Sequence, residues 1–78
     1  MTPEQIKMAR HALGLEDGRK VSYRNRYFAG GPPTEAAWND LVAKGLAERT
    51  SLCFHLTEVG AKAVLLAGER LDPEDFPS

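Results

Sequence analysis

Trp38-Asn39-Asp40-Leu41-Val42-Ala43-Lys44-Gly45-Leu46-Ala47-Glu48-Arg49, followed by Thr50-Ser51 and then Leu52-Cys53-Phe54-His55-Leu56-Thr57, is the stretch that decides the fold. Ala37, Trp38, Leu41 and Val42 recur at helical spacing behind Thr34, a residue suited to an N-cap, so a helix is expected over 34–45. Gly45 stops it, and Leu46 just beyond is placed to pack back on Leu41 in a Schellman-type ending. Leu46 to Arg49 then reads as a strand, Thr50-Ser51 as a turn and Leu52 to Leu56 as the returning strand, with Leu52, Phe54 and Leu56 facing the core. Thr57 caps a last helix in which Ala61, Val64, Leu65 and, at its end, Leu71 face inward. Leu56 is placed to staple against Ala61, and Asp72-Pro73 ends the helix.

Working outward toward the N-terminus, Thr2-Pro3-Glu4-Gln5 opens a first helix. Thr2 caps, Pro3 suits the first helical position, and Gln5 completes a capping box. Ile6, Ala9, Ala12 and Leu13 form its apolar stripe, Glu4, Lys7 and Arg10 take the other side, and Gly14 ends it. Residues 15–33 are the least patterned. Glu16-Asp17-Gly18 reads as a turn and Ala29-Gly30-Gly31-Pro32-Pro33 as a loop, with a short helix expected between, over Lys20 to Phe28. Val21, Tyr23, Tyr27 and Phe28 would also suit an extended segment. The expected fold class is α+β, mostly α, with three to four helices and one short β-hairpin. Residues 1–71 form the single domain, and 72–78 an acidic, proline-containing, loosely held tail.

The 78 residues suffice for one domain, and an apolar fraction of 42% with 27% charged residues is that of an ordinary globular chain. No apolar run approaches the roughly 18 residues that span a bilayer, and Met1 to Gln5 lacks the basic and apolar regions of a signal peptide. A single cysteine, Cys53, excludes an internal disulfide, so a reducing cytoplasm is the expected compartment. The net charge of −1 hides an asymmetry: residues 1–30 sum to +3 and residues 31–78 to −4. A basic front half is suited to an anionic partner, although the total is far from that of a dedicated nucleic-acid binder.

The order helix, irregular or short helical segment, helix, tight hairpin, helix is one that winged-helix domains use, and the stretch from Trp38 to Ala63 resembles them. Trp38 to Arg49 is similar to a recognition helix with the first wing strand, and Phe54-His55-Leu56-Thr57-Glu58-Val59-Gly60 to the second strand entering the closing helix. A narrower likeness covers residues 22–66. Ser22-Tyr23-Arg24-Asn25-Arg26-Tyr27-Phe28, Trp38, Gly45-Leu46 and the Phe54-to-Gly60 stretch together resemble small proteins encoded in tailed phages and prophages, most of them without an assigned role. The fold so implied hosts many functions. A DNA-reading helix presents Arg, Lys, Asn or Gln to the major groove, whereas helix 34–45 offers Glu35, Asn39, Asp40 and Lys44. The wing, cut to Arg49-Thr50-Ser51, carries one cation.

Candidate chemistry is sparse. Cys53 lacks a neighbouring base other than His55, and His11 and His55 with one cysteine have no metal-ligand spacing. The acids Glu16-Asp17 and Asp72, Glu74, Asp75 lie in a turn and a tail, where solvated loops are the simpler reading than paired catalytic carboxylates. Gly30-Gly31-Pro32-Pro33 lacks the Lys-Ser or Lys-Thr ending of a phosphate loop. The one segment composed for contact is 19–28, in which Arg19, Lys20, Tyr23, Arg24 and Arg26 could meet nucleic acid or a protein partner. Against that, Tyr27 and Phe28 could simply close the core with the arginines as a solvated rim, and Trp38 is expected inside. The expectation is a non-catalytic phage or prophage accessory acting as a protein-interaction or assembly module. Its partner is another protein or a second copy, and no cofactor, metal, small-molecule substrate or membrane is involved. The alternative is weak, largely sequence-nonspecific nucleic-acid binding through the same basic segment.

Overall fold

Thr2 accepts the Gln5 amide at 3.1 Å while its own amide donates to Gln5 Oε1 at 2.9 Å, so the capping box launches α1, Pro3–Leu13, where the sequence places it. The computed structural model describes residues 1–16 and 18–76; Asp17 of the expected turn, and Pro77 and Ser78 of the expected tail, lie outside the described residues. Two further helices and one hairpin follow: α2, Pro32–Ala43; β1, Ala47–Arg49; β2, Phe54–Leu56; and α3, Glu58–Lys62. The described residues therefore form a small, mostly helical α+β fold with three helices and a two-stranded antiparallel hairpin.

The Gly45 ending has the expected form. Gly45 sits at φ +75°, its amide reaches Val42 O at 3.0 Å, and the Leu46 amide reaches Leu41 O at 2.9 Å, which is the Schellman pair of bonds. Thr57 likewise caps α3 by accepting the Gly60 amide at 3.1 Å. The core gathers Met8, Ala9, Ala12, Leu13 and Leu15 from the α1 side, Trp38 and Leu41 from α2, and Ala47, Phe54, Leu56, Ala61 and Val64 from the rest. Trp38 is fully buried. Its ring stacks on Phe54 with centroids 5.6 Å apart and lies 5.2 Å from Tyr27. Such aromatic pairs add about 1 kcal/mol each beyond area burial, which offsets the cost of an indole Nε1–H buried without an acceptor.

Five expectations are corrected. Lys20 to Phe28 forms no helix; it runs extended, bridging Val21 to Arg70 and Tyr27 to Phe54. Helix α2 begins before Thr34, because Pro32 and Pro33 carry the φ that the first helical positions need and the Glu35 amide bonds to Gly31 O at 2.9 Å. Ile6 is exposed, and Gln5 replaces it on the buried face, since Gln5 Nε2 donates to Ala37 O at 3.1 Å and to Asp40 Oδ2 at 2.9 Å. Leu52 is 81% exposed: pairing of Arg49 with Phe54 puts residues 50–53 in the loop, where Thr50 and Cys53 bond across it and leave Leu52 at the tip.

The fifth correction is α3, which ends at Lys62 and does not run on to Leu71. Arg10, which periodicity assigns to the solvent side of α1, lies across the end of this helix. Its guanidinium donates to Glu69 Oε1 and Oε2 at 2.6 and 2.7 Å, to Val64 O at 2.8 Å and to Leu15 O at 2.9 Å. Glu69 Oε1 also accepts the Leu66 amide at 2.8 Å, so the turn after α3 closes around the ion pair. Those bonds hold the Glu69 carboxyl down to about 2, Arg10 first and the Leu66 amide second. The acidic end of the chain is also held in part, because the Asp72 amide donates to the buried Ser22 Oγ at 2.8 Å and Phe76 packs against the core.

Candidate basic and aromatic interface

A helix leaves its last four carbonyls without intrahelical donors, and at α1 the segment after it supplies them. Arg10 O accepts the Leu15 amide at 3.0 Å and His11 O the Gly14 amide at 3.1 Å; Leu13 O then takes the Tyr23 amide at 3.1 Å and Ala12 O the Arg26 amide at 3.2 Å. The other side of the same segment joins the hairpin. Tyr27 and Phe54 exchange backbone bonds of 2.8 and 2.9 Å, and two residues earlier the Asn25 side chain imitates a strand. Its Nδ2 donates to Leu56 O at 2.9 Å, and its Oδ1 accepts the Leu56 amide at 2.8 Å. A helix over 20–28 would leave Ala12 O, Leu13 O and the Phe54 and Leu56 backbone groups without these partners, so tertiary bonds decide for the extended form that the β-branched and aromatic content also allows.

Extended backbone alternates its side chains. Tyr27 therefore turns inward onto Trp38 while Phe28 is 63% exposed, so of the two only Tyr27 closes the core. Tyr23, 50% exposed, lies over Gly14, where an added Cβ would fall 2.1 Å from the ring Cε1. Two guanidiniums flank that ring, with Arg19 Cζ 4.4 Å and Arg24 Cζ 5.2 Å from its centroid. Arg24 is partly spent on the fold, since its Nε and Nη2 both donate to His11 O, at 3.1 and 2.7 Å.

Arg24 and Arg26 stand between two open concavities. One, of about 330 Å³, is lined by His11, Arg24, Arg26, Tyr27 and Phe28. The other, of about 610 Å³, is lined by the two arginines with Tyr23, Asn25 and His55, and also by Glu74 and Asp75. Of the candidate contact residues, Arg19, Tyr23, Arg24 and Arg26 thus come together. Arg19 joins them through the Tyr23 ring, whereas Lys20 neither flanks that ring nor lines a concavity, and its charge acts on Glu69 at the Arg10 ion pair. Phe28, Asn25 and the acids Glu74 and Asp75 are the residues that reading along the sequence leaves out of the site. The alternation in Tyr27-Phe28 is the signal for the first of them once the segment is taken as a strand.

The remaining faces present different chemistry. Glu35 pairs with Arg49 at 3.0 Å and Asp40 with Lys44 at 3.0 Å, so α2 offers solvent mutually compensated charges. Donation from Gln5 and then from Lys44 keeps the Asp40 carboxyl below its ordinary range. The hairpin tip offers Leu52 and no cation of its own. The Cys53 sulfur lies 3.4 Å from Thr50 Oγ1 within the turn, and among the described residues no group of three or more His, Cys, Asp or Glu side chains is placed to hold a metal ion. No helix among the described residues is long and apolar enough to cross a membrane.

Comparison with protein-family models, with curated proteins and with solved structures finds no match to this chain.

Proposed function

We propose that this chain is a non-catalytic protein-interaction module whose contact face is the extended segment 19–28, and that its partner presents carboxylates interleaved with apolar side chains. The observation that carries the reading is the exposure of Phe28 and Tyr23 beside the guanidiniums of Arg19, Arg24 and Arg26. Aromatic and arginine side chains are the ones that dominate binding energy at protein interfaces. Charge decides between macromolecules. A nucleic acid brings one phosphate per nucleotide and would press against Glu74 and Asp75 at the rim of this face, whereas a protein can place a single carboxylate at Arg26 and an apolar group on Phe28.

The winged-helix reading belongs to the proposal as well. The order α2, hairpin, α3, with Tyr27 bridged onto β2, supports it. Residues 14–31 between α1 and α2 contain no helix among those described, so the closely coupled helix pair that seats a recognition helix in DNA is not formed there. A phage or prophage accessory role rests on the sequence resemblance of residues 22–66 alone. A second reading, single-stranded nucleic acid, draws on the same exposed aromatics, since bases stack on such platforms next to cations.

Fluorescence anisotropy with a labelled peptide of Glu-Leu repeats, a random duplex and a random single strand, at low and moderate salt, tests the proposal. The peptide is expected to bind, and Phe28→Ser and Arg26→Gln each to weaken it about fivefold, the loss of roughly 1 kcal/mol expected at an interface anchor. Preference for the single strand, with the same two variants impaired, would replace the protein partner by nucleic acid. Peptide binding untouched by either variant would remove the face from the account.

A further inference from the structure

The second concavity has a lining of mixed sign. Arg24, Arg26, Asn25 and His55 share it with Glu74 and Asp75, which are distant from them in sequence. This acidic turn is built in place. The Asp72 amide is fixed to Ser22, which is 1% exposed and lies within the basic segment itself. The Glu74 amide bonds to Asp72 Oδ1 at 2.9 Å, the Asp75 amide to Asp72 O at 3.1 Å, and Phe76 packs on the core just beyond. Yet among the described residues neither Glu74 nor Asp75 forms an ion pair within 4.0 Å of Arg24 or Arg26. The carboxylates thus share an open groove with the guanidiniums without an ion pair to them.

From this we infer that the 72–76 turn is an internal competitor for the acidic partner: a segment of the chemistry that the partner would present, carboxylates next to an aromatic, held in cis beside the groove that the partner enters. The inference rests on the interface proposed above and gives it a regulatory element. Because Glu74 and Asp75 are exposed to solvent and form no ion pair with the arginines, they lower partner affinity modestly and in a salt-dependent way, and do not close the site. A partner carboxylate that reaches Arg26 directly outcompetes them, since contact distance favours it.

The test is affinity for the Glu-Leu repeat peptide, measured on the full chain and on Glu74→Gln, Asp75→Asn. Neutralisation keeps the backbone bonds and Phe76 in place, and an unchanged melting temperature checks that the turn persists. A second double variant, Glu4→Gln, Glu35→Gln, carries the same net charge with the changes in the first turns of α1 and α2, and neither residue lines the groove. The expected result is about fivefold tighter binding for Glu74→Gln, Asp75→Asn at low salt, the size one or two exposed charge interactions supply. The gain shrinks at high salt, and the control variant binds as the parent does. Equal gains in both double variants would reduce the effect to net charge and overturn the inference. Parent binding that Arg26→Gln weakens but Glu74→Gln, Asp75→Asn leaves unchanged would also overturn it while sparing the interface. Absence of binding by the parent and by both double variants at low salt would overturn the interface and the inference together.

Discussion

Replacing Glu69 by Gln should cost this small domain a large part of its stability, and the cost should fade in acid. Glu69 is 4% exposed at its side chain and takes three donors, two from Arg10 at 2.6 and 2.7 Å and one from the Leu66 amide at 2.8 Å. Its carboxyl sits near 2 in the folded chain, against about 4.3 in an unfolded one. At about 1.4 kcal/mol per unit, the difference sets a ceiling of about 3 kcal/mol at neutral pH. The pair lies just beneath the surface, with the Arg10 side chain 18% exposed, and solvent screening brings the expected loss to about 2 kcal/mol. That compares with about 5 kcal/mol for a domain of this size. The sign follows from the depression: the stabilisation is complete above the unfolded value and is lost as pH falls from about 5 toward 2, while Arg10 stays charged throughout. Asp40, also depressed, contributes in the same direction in both chains and cancels in the comparison. Urea unfolding followed by far-ultraviolet circular dichroism, at neutral pH and near pH 3, should show a lower midpoint for Glu69→Gln at neutral pH and a smaller gap in acid. A gap that is absent, or that stays constant with pH, would refute the role assigned to the pair.

Gly60→Ala should destabilise, although the same change in an open helix gains about 0.5–1 kcal/mol. A Cβ there would fall 1.9 Å from Leu46 O, a backbone atom held by the Thr57 amide, so a loss of about 2 kcal/mol and a lower melting temperature are expected. Asn25→Ala should cost about 2 kcal/mol by leaving the amide and carbonyl of buried Leu56 unpaired, and hydrogen exchange at the Leu56 amide should accelerate well beyond that at Leu46.

Features written in adjacent residues are legible in the sequence alone. The Thr2-Gln5 box, the Gly45-Leu46 ending and the Thr57 cap each depend on bonds spanning three to five positions, and each forms as read. The burial of Trp38 follows from its stripe and is met in full. What escaped depends on remote partners. Arg10 and Glu69 lie 59 positions apart, and nothing local distinguishes Arg10 from a solvent-facing cation on α1. Segment 20–28 takes its conformation from Ala12, Leu13, Phe54, Leu56 and Arg70, so its own ambiguous composition did not decide it. Ile6 lost its place to Gln5 because hydrogen bonds to α2 made a polar side chain the better buried one. The site was half legible: the basic and aromatic content of 19–28 is plain in the sequence, but the turning of Phe28 outward, the use of Arg24 on a helix carbonyl, and the approach of Glu74 and Asp75 are tertiary facts.

The central claim is that one face, residues 19–28, meets the partner. Amide chemical-shift mapping of the isotopically labelled chain, titrated with the Glu-Leu repeat peptide, tests it most directly. The account predicts progressive shifts at Tyr23, Arg24, Arg26 and Phe28, with smaller ones at Glu74 and Asp75 in the adjoining groove, and none on the exposed face of α2 at Ala36 and Asn39. Shifts concentrated on α2 or at the Leu52 hairpin tip, with residues 19–28 unmoved, would contradict it.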